Sequence, residues 1–310
     1  MEENARLYIE KCKSYINFMM AHHQWSGIDK EDVDRWMNNF TNLSDEVKKL
    51  ALTILINIIY YSETDIISAL KHGIYNLLFK DLVLKRQIDL HFSLSPKALS
   101  NIITEELDSS CFIPLLDKNA PHESGNSISR LLVQNNIINA DQSIFLHDIK
   151  IDSKYKRIVI IDDCVGSGDQ LIKFWNENAK IKKDNSDILL KDACLSIPNL
   201  IVNYLTLFGY RNSIKELQEK LNGLEIYCVN FLSNANRVFS DESYVWQNDE
   251  LVNAKEKIRE LVNERGIPLL GYKDLDFAFI MNKTIPDWSL PMFYMETSDW
   301  SPLLRRKSTI

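Results

Sequence analysis

The sequence predicts an α/β protein in which a mostly parallel sheet with flanking helices follows an N-terminal α-helical region. Before Pro96, glycine and proline are almost absent and apolar residues recur at helical spacing. After Pro96, short apolar runs alternate with longer segments of helical character, as in a parallel sheet covered by helices on both faces. We therefore expect a helical region over residues 1–95 and an α/β domain over residues 96–310.

Three segments of the helical region predict long helices, residues 6–23, 44–61 and 64–84. Ser44 stands where an N-cap is expected, and acidic residues follow it, as suits a helix N-terminus. Thr64 is a candidate N-cap of the third helix. This region shows no constellation of catalytic side chains, so we expect it to serve regulation or assembly.

The α/β region contains five apolar runs that predict strands. They cover residues 111–116, 157–162, 199–208, 224–231 and 275–281. Between and after them lie segments that predict helices, residues 128–136, 169–180, 211–221 and 250–264. Strands that alternate with helices favour parallel pairing.

Charge and cysteine pattern argue against several classes of protein. The net charge of -7 gives no electrostatic reason for the bulk surface to bind nucleic acid. The five cysteines are scattered and form no C-x-x-C pair, which favours reduced thiols in the cytoplasm over disulfides or a zinc site. The most hydrophobic run, residues 50–61, is shorter than the about 20 residues that span a bilayer. It predicts a buried helix and no membrane segment.

The stretch IVIIDDCVGSGDQLIKFW, residues 158–175, predicts a buried strand, a loop and a helix. Ligands of open α/β sheets bind beyond the carboxyl ends of the strands, where Asp162 and Asp163 fall, and we expect this strand end to face solvent. Gly166 and Gly168 let backbone N–H groups turn toward an anion, and the dipole of the following helix adds to the attraction. Carboxylates also accept hydrogen bonds from a vicinal diol. The stretch predicts a ribose-phosphate site; the alternative is a tight turn whose aspartates cap the next helix.

Two better-known phosphate loops fit this stretch poorly. A Walker loop requires a lysine that is missing here, and a dinucleotide fingerprint requires a third glycine.

Residues 158–170 resemble the phosphoribosyl-pyrophosphate motif of type I phosphoribosyltransferases, in which four hydrophobic residues precede two acidic residues and a small-residue loop. A wider resemblance covers three blocks in order, residues 112–132, 162–170 and 283–306. These blocks are similar to those of the phosphoribosyltransferase-like proteins of bacterial conflict systems, found in anti-phage loci that include some retrons. The resemblance implies a type I phosphoribosyltransferase-like sheet with flanking helices.

The resemblance also implies roles for individual residues. Asp162 and Asp163 would hold the ribose hydroxyls and carry the chemistry. The phosphate loop would use the backbone amides of this segment, with Val165, Gly166, Ser167, Gly168, Asp169 and Gln170. Ser124, Gly125 and Asn126 follow the first core strand, where the fold has its pyrophosphate loop. Mg²⁺ would arrive with the substrate's diphosphate, and no resident metal site is implied.

Three functions remain open at this stage. The first is an enzyme of anti-phage defence that acts at the glycosidic carbon of a ribose 5-phosphate unit, by transfer or cleavage. The second is a non-catalytic sensor that binds a nucleotide or phosphosugar in the same loop. The third is a structural partner of a defence complex. In all three, the helical N-terminal region is expected to bind protein partners of the defence system.

Four side chains outside the loop have two interpretations each. Trp288, Phe293 and Trp300 would either stack on a base or pack in the interior, and packing is the more common role. Arg237 would either reach an anion or lie on the surface as an ordinary arginine.

Overall fold

The structure is a computed structural model that describes residues 2–116, 124–149, 155–183, 186–247 and 249–306. Its helices are α1 (Glu2–Ala21), α2 (Lys30–Asn38), α3 (Asp45–Ile56), α4 (Glu63–His72), α5 (Lys80–Asp89), α6 (Pro96–Asp108), α7 (Ser124–Gln134), α8 (Asp169–Lys173), α9 (Leu190–Ser196), α10 (Arg211–Lys220) and α11 (Glu250–Glu264). Its strands are β1 (Ile59–Tyr61), β2 (Ser110–Pro114), β3 (Arg157–Val165), β4 (Lys180–Lys183), β5 (Ser186–Leu189), β6 (Ile201–Tyr210), β7 (Glu225–Leu232) and β8 (Phe279–Met281). Two π-helical turns cover Gly73–Leu78 and Phe174–Asn178. No helix among the described residues has the length and apolar character needed to cross a membrane.

The chain divides by packing into two units, Met1–Ile66 with Ser233–Ile310, and Ile67–Leu232. In the first unit, the early helices share one hydrophobic core with the C-terminal segment. The indole N–H groups of Trp36 and Trp300 both donate to the carbonyl oxygen of Met292, at 3.0 and 2.9 Å. This division by packing differs from the expected division at residue 95, which stays a prediction.

The segment 44–61 was expected to be one helix, but it forms a helix and a strand. Ser44 caps α3 as expected, because its hydroxyl accepts the N–H of Val47 at 3.4 Å. The helix ends at Ile56, and β1 then pairs in parallel with β8, Ile59 opposite Phe279. β-branched and aromatic residues favour strands over helices, so the Ile-Ile-Tyr-Tyr end of this segment leaves the helix.

The N-cap of α4 lies two residues before its expected place, Thr64. The helix begins at Glu63, and the hydroxyl of Ser62, not that of Thr64, accepts the N–H of Asp65 at 3.2 Å. Ser62 directly precedes the first helical residue, which is the position an N-cap must occupy.

The second unit is built on a four-stranded parallel sheet in the order β2-β3-β6-β7. Ser143 forms a further parallel bridge to Phe112 of β2, on the side away from β3. The chain therefore leaves β2 to one side and returns on the other side as β3. Such a reversal of strand order is the topological switch point, where α/β sheets bind ligands.

Both faces of this sheet are covered, as the sequence predicted. Ile158 and Ile160 of β3 share a core with Leu171 of α8 and Ile214 of α10. On the other face, the turn at Gly73 lies so close to β6 and β7 that a Cβ there would be 3.0 Å from the Val229 side chain. The α/β class with a parallel sheet and flanking helices is confirmed.

Three predicted elements differ from those observed. The run 275–281 forms a strand only at β8, which pairs with β1 outside the four-stranded sheet. The predicted helix 169–180 is α-helical to Lys173 and continues as a π-helical turn to Asn178. The antiparallel pair β4-β5 was not predicted, because its short lysine-rich strands lack an apolar run.

Candidate functional site

The candidate site lies at the carboxyl end of β3, beside the switch point of the sheet. Asp162 and Asp163 are within β3, which continues to Val165 and pairs with β6 over its whole length. The residues 166–168 then turn the chain into α8. This position beside the switch point is the one at which the sequence predicted a ligand site.

Asp162 is buried, and the expectation that it faces solvent is wrong. Its side chain is only 5% exposed, because β3 runs three residues beyond it and keeps it inside the sheet. Oδ2 accepts a hydrogen bond from the Tyr204 hydroxyl at 2.6 Å, and Oδ1 accepts the N–H of Asp163 at 3.0 Å. Both carboxylate oxygens therefore already have protein partners.

Burial raises the pKa of Asp162 well above its usual value, and the adjacent charge of Asp163 raises it further. The hydrogen bond from Tyr204 opposes this shift. The pKa of Tyr204 is raised as well, by its own burial and then by the charge of Asp162. The pair therefore retains its protons to higher pH than exposed side chains would.

Asp163 is held differently from Asp162. The two side chains interact with each other, since the charge of Asp163 raises the pKa of Asp162, but their backbone partners differ. Asp163 Oδ1 accepts the N–H of Cys164 at 2.8 Å. Asp163 is 9% exposed and is buried too, so the expectation that this strand end faces solvent is wrong for both aspartates. The two carboxylates are neighbours in sequence but not equivalent in structure.

The loop after β3 presents backbone donors. Within the described parts of the chain, the N–H groups of Gly166, Ser167 and Gly168 donate no hydrogen bond. Gly168 has φ 84°, the left-handed conformation, and precedes the first residue of α8. Successive N–H groups at such a turn form an anion-binding concavity. Asp169 and Gln170 form the first turn of α8, where Asp169 N–H donates to Ser167 Oγ at 3.3 Å.

Gly168 is required for packing as well as for its backbone angle. A Cβ at this position would lie 2.9 Å from Leu217 Cδ1 of α10. A side chain at this position would therefore displace Leu217, which belongs to the core under the sheet.

The expected pyrophosphate loop is helical where the structure describes it. Ser124, Gly125 and Asn126 form the first turn of α7, which follows β2, the strand paired with β3. The rest of that loop, Glu123 with Lys118 and His122 before it, lies outside the described residues.

The aromatic residues of the C-terminal segment pack in the core of the first unit. Trp288 stacks on Phe279 with ring centroids 5.0 Å apart, and Phe293 and Trp300 are fully buried. Arg237 forms an ion pair with Asp276, a carboxylate that is 1% exposed. Packing is thus the observed role of the three aromatic residues, and an ion pair is that of Arg237.

Tyr204 is the residue that sequence reasoning missed. It stands in the apolar run of β6, two residues before the register partner of Asp162, Thr206. A tyrosine in an otherwise aliphatic buried strand needs a partner for its hydroxyl, and that requirement was the available signal.

Comparisons with known proteins give one family. The PRTase-CE family model matches residues 33–306. A search of curated proteins found no match. Among solved structures, the chain is similar to orotate phosphoribosyltransferase from Aeropyrum pernix, with 14% identity and a TM-score of 0.25. That similarity covers 41% of this chain and 61% of the other, and at this level it carries no argument.

The family model spans nearly the whole chain, including the strand, loop and helix around Asp162 and Asp163. The chain therefore belongs to the PRTase-CE family and is a phosphoribosyltransferase-like protein.

Proposed function

We propose that the protein binds the ribose 5-phosphate unit of a nucleotide or phosphosugar at the end of β3 and acts at its glycosidic carbon. One observation carries this proposal: three consecutive loop amides, at residues 166–168, donate no hydrogen bond within the described chain. Buried or half-buried N–H groups without partners are costly, so a phosphate that accepts from them would be bound with little rearrangement. The loop also lies at the switch point, where such ligands bind.

The two aspartates have separate roles in this proposal. Asp163 is the ribose contact, because it stands near the carboxyl end of β3, before the loop that carries the three amides. Asp162 is a positioning residue, since Tyr204 and the Asp163 N–H occupy its oxygens. It fixes the backbone that carries Asp163 and the loop.

Any Mg²⁺ would be held chiefly by the substrate. The described residues contain no group of three metal-binding side chains, and Mg²⁺ keeps several waters and binds substrate phosphates. The first turn of α7, Ser124 to Asn126, would face the diphosphate from the neighbouring strand.

Catalysis would rest on positioning and electrostatics. The reaction replaces one bond at C1′ by another, and positive charge develops on the ribose ring in the transition state. The Asp163 carboxylate stabilises that charge, while the loop amides hold the 5′-phosphate in place.

A second function, binding without turnover, is favoured by the burial of Asp162. A carboxylate with both oxygens occupied by Tyr204 and a backbone N–H offers no general base. The protein would then sense a nucleotide or phosphosugar and report it to a partner.

One experiment separates the two functions. The full chain is incubated with nucleotides and with 5-phosphoribosyl diphosphate, and free base and pyrophosphate are followed by mass spectrometry. Turnover that Asp163→Asn abolishes supports the enzyme. Ligand binding by calorimetry without turnover supports the sensor, and neither binding nor turnover refutes both.

We further propose an anti-phage setting, with partner proteins bound by the N-terminal helical region, residues 1–95. This rests on the resemblance of three separated sequence blocks to conflict-system proteins. A plaque assay with wild type and Asp163→Asn at equal expression tests it. Equal phage titres with and without the wild-type chain, in its own operon, would refute the setting.

A further inference from the structure

Three consecutive hydrogen bonds connect β6 to the segment before the phosphate loop. The Tyr204 hydroxyl of β6 donates to Asp162 Oδ2 at 2.6 Å, and Asp162 Oδ1 accepts the N–H of Asp163 at 3.0 Å. Asp163 Oδ1 in turn accepts the N–H of Cys164 at 2.8 Å, and the loop begins two positions later, at Gly166. Tyr204 is therefore connected, through two carboxylates and the backbone between them, to the loop that would bind phosphate.

The charge of Asp162 can change within this chain of hydrogen bonds. Asp162 and Tyr204 are both buried. Asp163 of β3 and Tyr204 of β6 act on the charge of Asp162, and Cys164 acts on Tyr204. The helices α8 and α10 add apolar side chains such as Leu171 to the core that contains Tyr204. Burial and the charge of Asp163 favour the protonated form of Asp162, whereas the bond from Tyr204 favours the ionised form.

A phosphate held by residues 166–168 would be repelled by an ionised Asp162. A phosphate monoester carries close to two negative charges above about pH 6, and Asp162 stands four positions before Gly166. A proton on Asp162 removes its charge and with it the repulsion. By linkage, the proton on Asp162 and the phosphosugar in the loop then each favour binding of the other.

We propose that Tyr204 is a positioning residue of the ribose-phosphate site and that, by donating to Asp162, it sets the pH range over which the site binds a phosphosugar. The donated bond stabilises the ionised carboxylate, so Asp162 loses its proton at a lower pH than it would without Tyr204. The site therefore binds its ligand more weakly as pH rises and Asp162 ionises. This inference rests on the proposed function, because it requires the phosphate to lie in the loop after β3.

Calorimetry of the full chain with ribose 5-phosphate, without divalent cations, tests the proposal between about pH 5 and about pH 9. The phosphate itself titrates near pH 6, so wild type is compared with Asp162→Asn, which cannot ionise at this position. The Kd of wild type rises about tenfold relative to that of Asp162→Asn across this range, which corresponds to a shift of about one pKa unit on binding. Tyr204→Phe moves this rise to higher pH. Tyr75→Phe is the matched control, because its hydroxyl donates to the Ile137 carbonyl, and it leaves the rise in place.

The alternatives give different results in the same measurements. A loss of affinity in Tyr204→Phe that is the same at every pH assigns Tyr204 a structural role alone and overturns the inference. Equal pH profiles of wild type and Asp162→Asn also overturn it, although binding itself would keep the proposed function. A wild type that binds no ribose 5-phosphate at any pH refutes the proposed function and this inference with it.

Proton uptake provides a second test that does not require Tyr204→Phe to fold. Circular dichroism establishes whether each variant is folded. Calorimetry in buffers of different ionisation enthalpy counts the protons that wild type and Asp162→Asn take up on binding. Greater uptake by wild type supports the linkage between Asp162 and the phosphosugar, and equal uptake overturns it.

Discussion

The Tyr204 hydroxyl donates a 2.6 Å hydrogen bond to Asp162 Oδ2, and both side chains are buried in the sheet. This bond joins β3 to β6 next to the loop that carries the candidate phosphate site. Both carboxylate oxygens of Asp162 accept hydrogen bonds inside the sheet, so this side chain is part of the sheet's own bonding. The stability and pH dependence of the second unit should therefore report on it.

Replacing Tyr204 with phenylalanine should destabilise the protein by about 1–3 kcal/mol, because a buried carboxylate oxygen loses its donor. The pKa of Asp162 should rise further, since the hydrogen bond that lowers it is removed. Urea denaturation at several pH values measures both effects. Tyr75→Phe is the control: its hydroxyl donates to the Ile137 carbonyl, so its effect should not vary with pH in the acid range. A pH-independent loss in both variants would contradict the prediction.

Asp162 should make the protein less stable as pH rises. Its pKa is raised in the folded chain, so the folded state binds the proton more tightly than the unfolded state, whose pKa is about 3.9. The contribution of this group is fully present below about pH 4 and is lost as pH rises through the folded pKa. The unfolding free energy of wild type should fall over that window relative to Asp162→Asn. A constant difference between the two from pH 4 to 8 would sink the idea.

Asp163→Asn should abolish phosphosugar binding and preserve the fold. The amide oxygen can still accept the N–H of Cys164, but the amide loses the charge that strengthens bonds to ribose hydroxyls. Calorimetry with 5-phosphoribosyl diphosphate measures the loss, and Asp187→Asn, an exposed carboxylate on β5, is the control. Unchanged binding in a folded Asp163→Asn variant would mean that the ribose is bound elsewhere.

Gly168→Ala should cost more stability than Gly223→Ala. Both glycines are left-handed, with φ 84° and 80°, so the backbone strain of an alanine, about 1–2 kcal/mol, is common to both. A Cβ at Gly168 meets Leu217 at 2.9 Å, whereas a Cβ at Gly223 meets no described atom within 4 Å. Thermal unfolding of the two variants isolates the packing cost. Equal melting temperatures would show that Leu217 moves aside freely.

The sequence by itself determined the four strands of the parallel sheet and the loop after β3. Each of these strands is a run of apolar residues bounded by polar ones, and such a signal is local. The same holds for α11, whose predicted span, residues 250–264, is the observed one. The acidic pair, the two glycines and the order of the three blocks were also recognised from the sequence, without knowledge of any tertiary contact.

Only the tertiary structure decided that Asp162 is paired with Tyr204 inside the sheet. Tyr204 is 42 residues beyond Asp162, and β1 finds its partner β8 more than 200 residues away. Likewise, residues 1–66 join residues 233–310 in one core. The periodicity of the sequence predicts that a residue is buried. It does not predict which distant residue bonds to a buried carboxylate, or which strand pairs with a short strand, because local interactions have similar free energies for all possible partners.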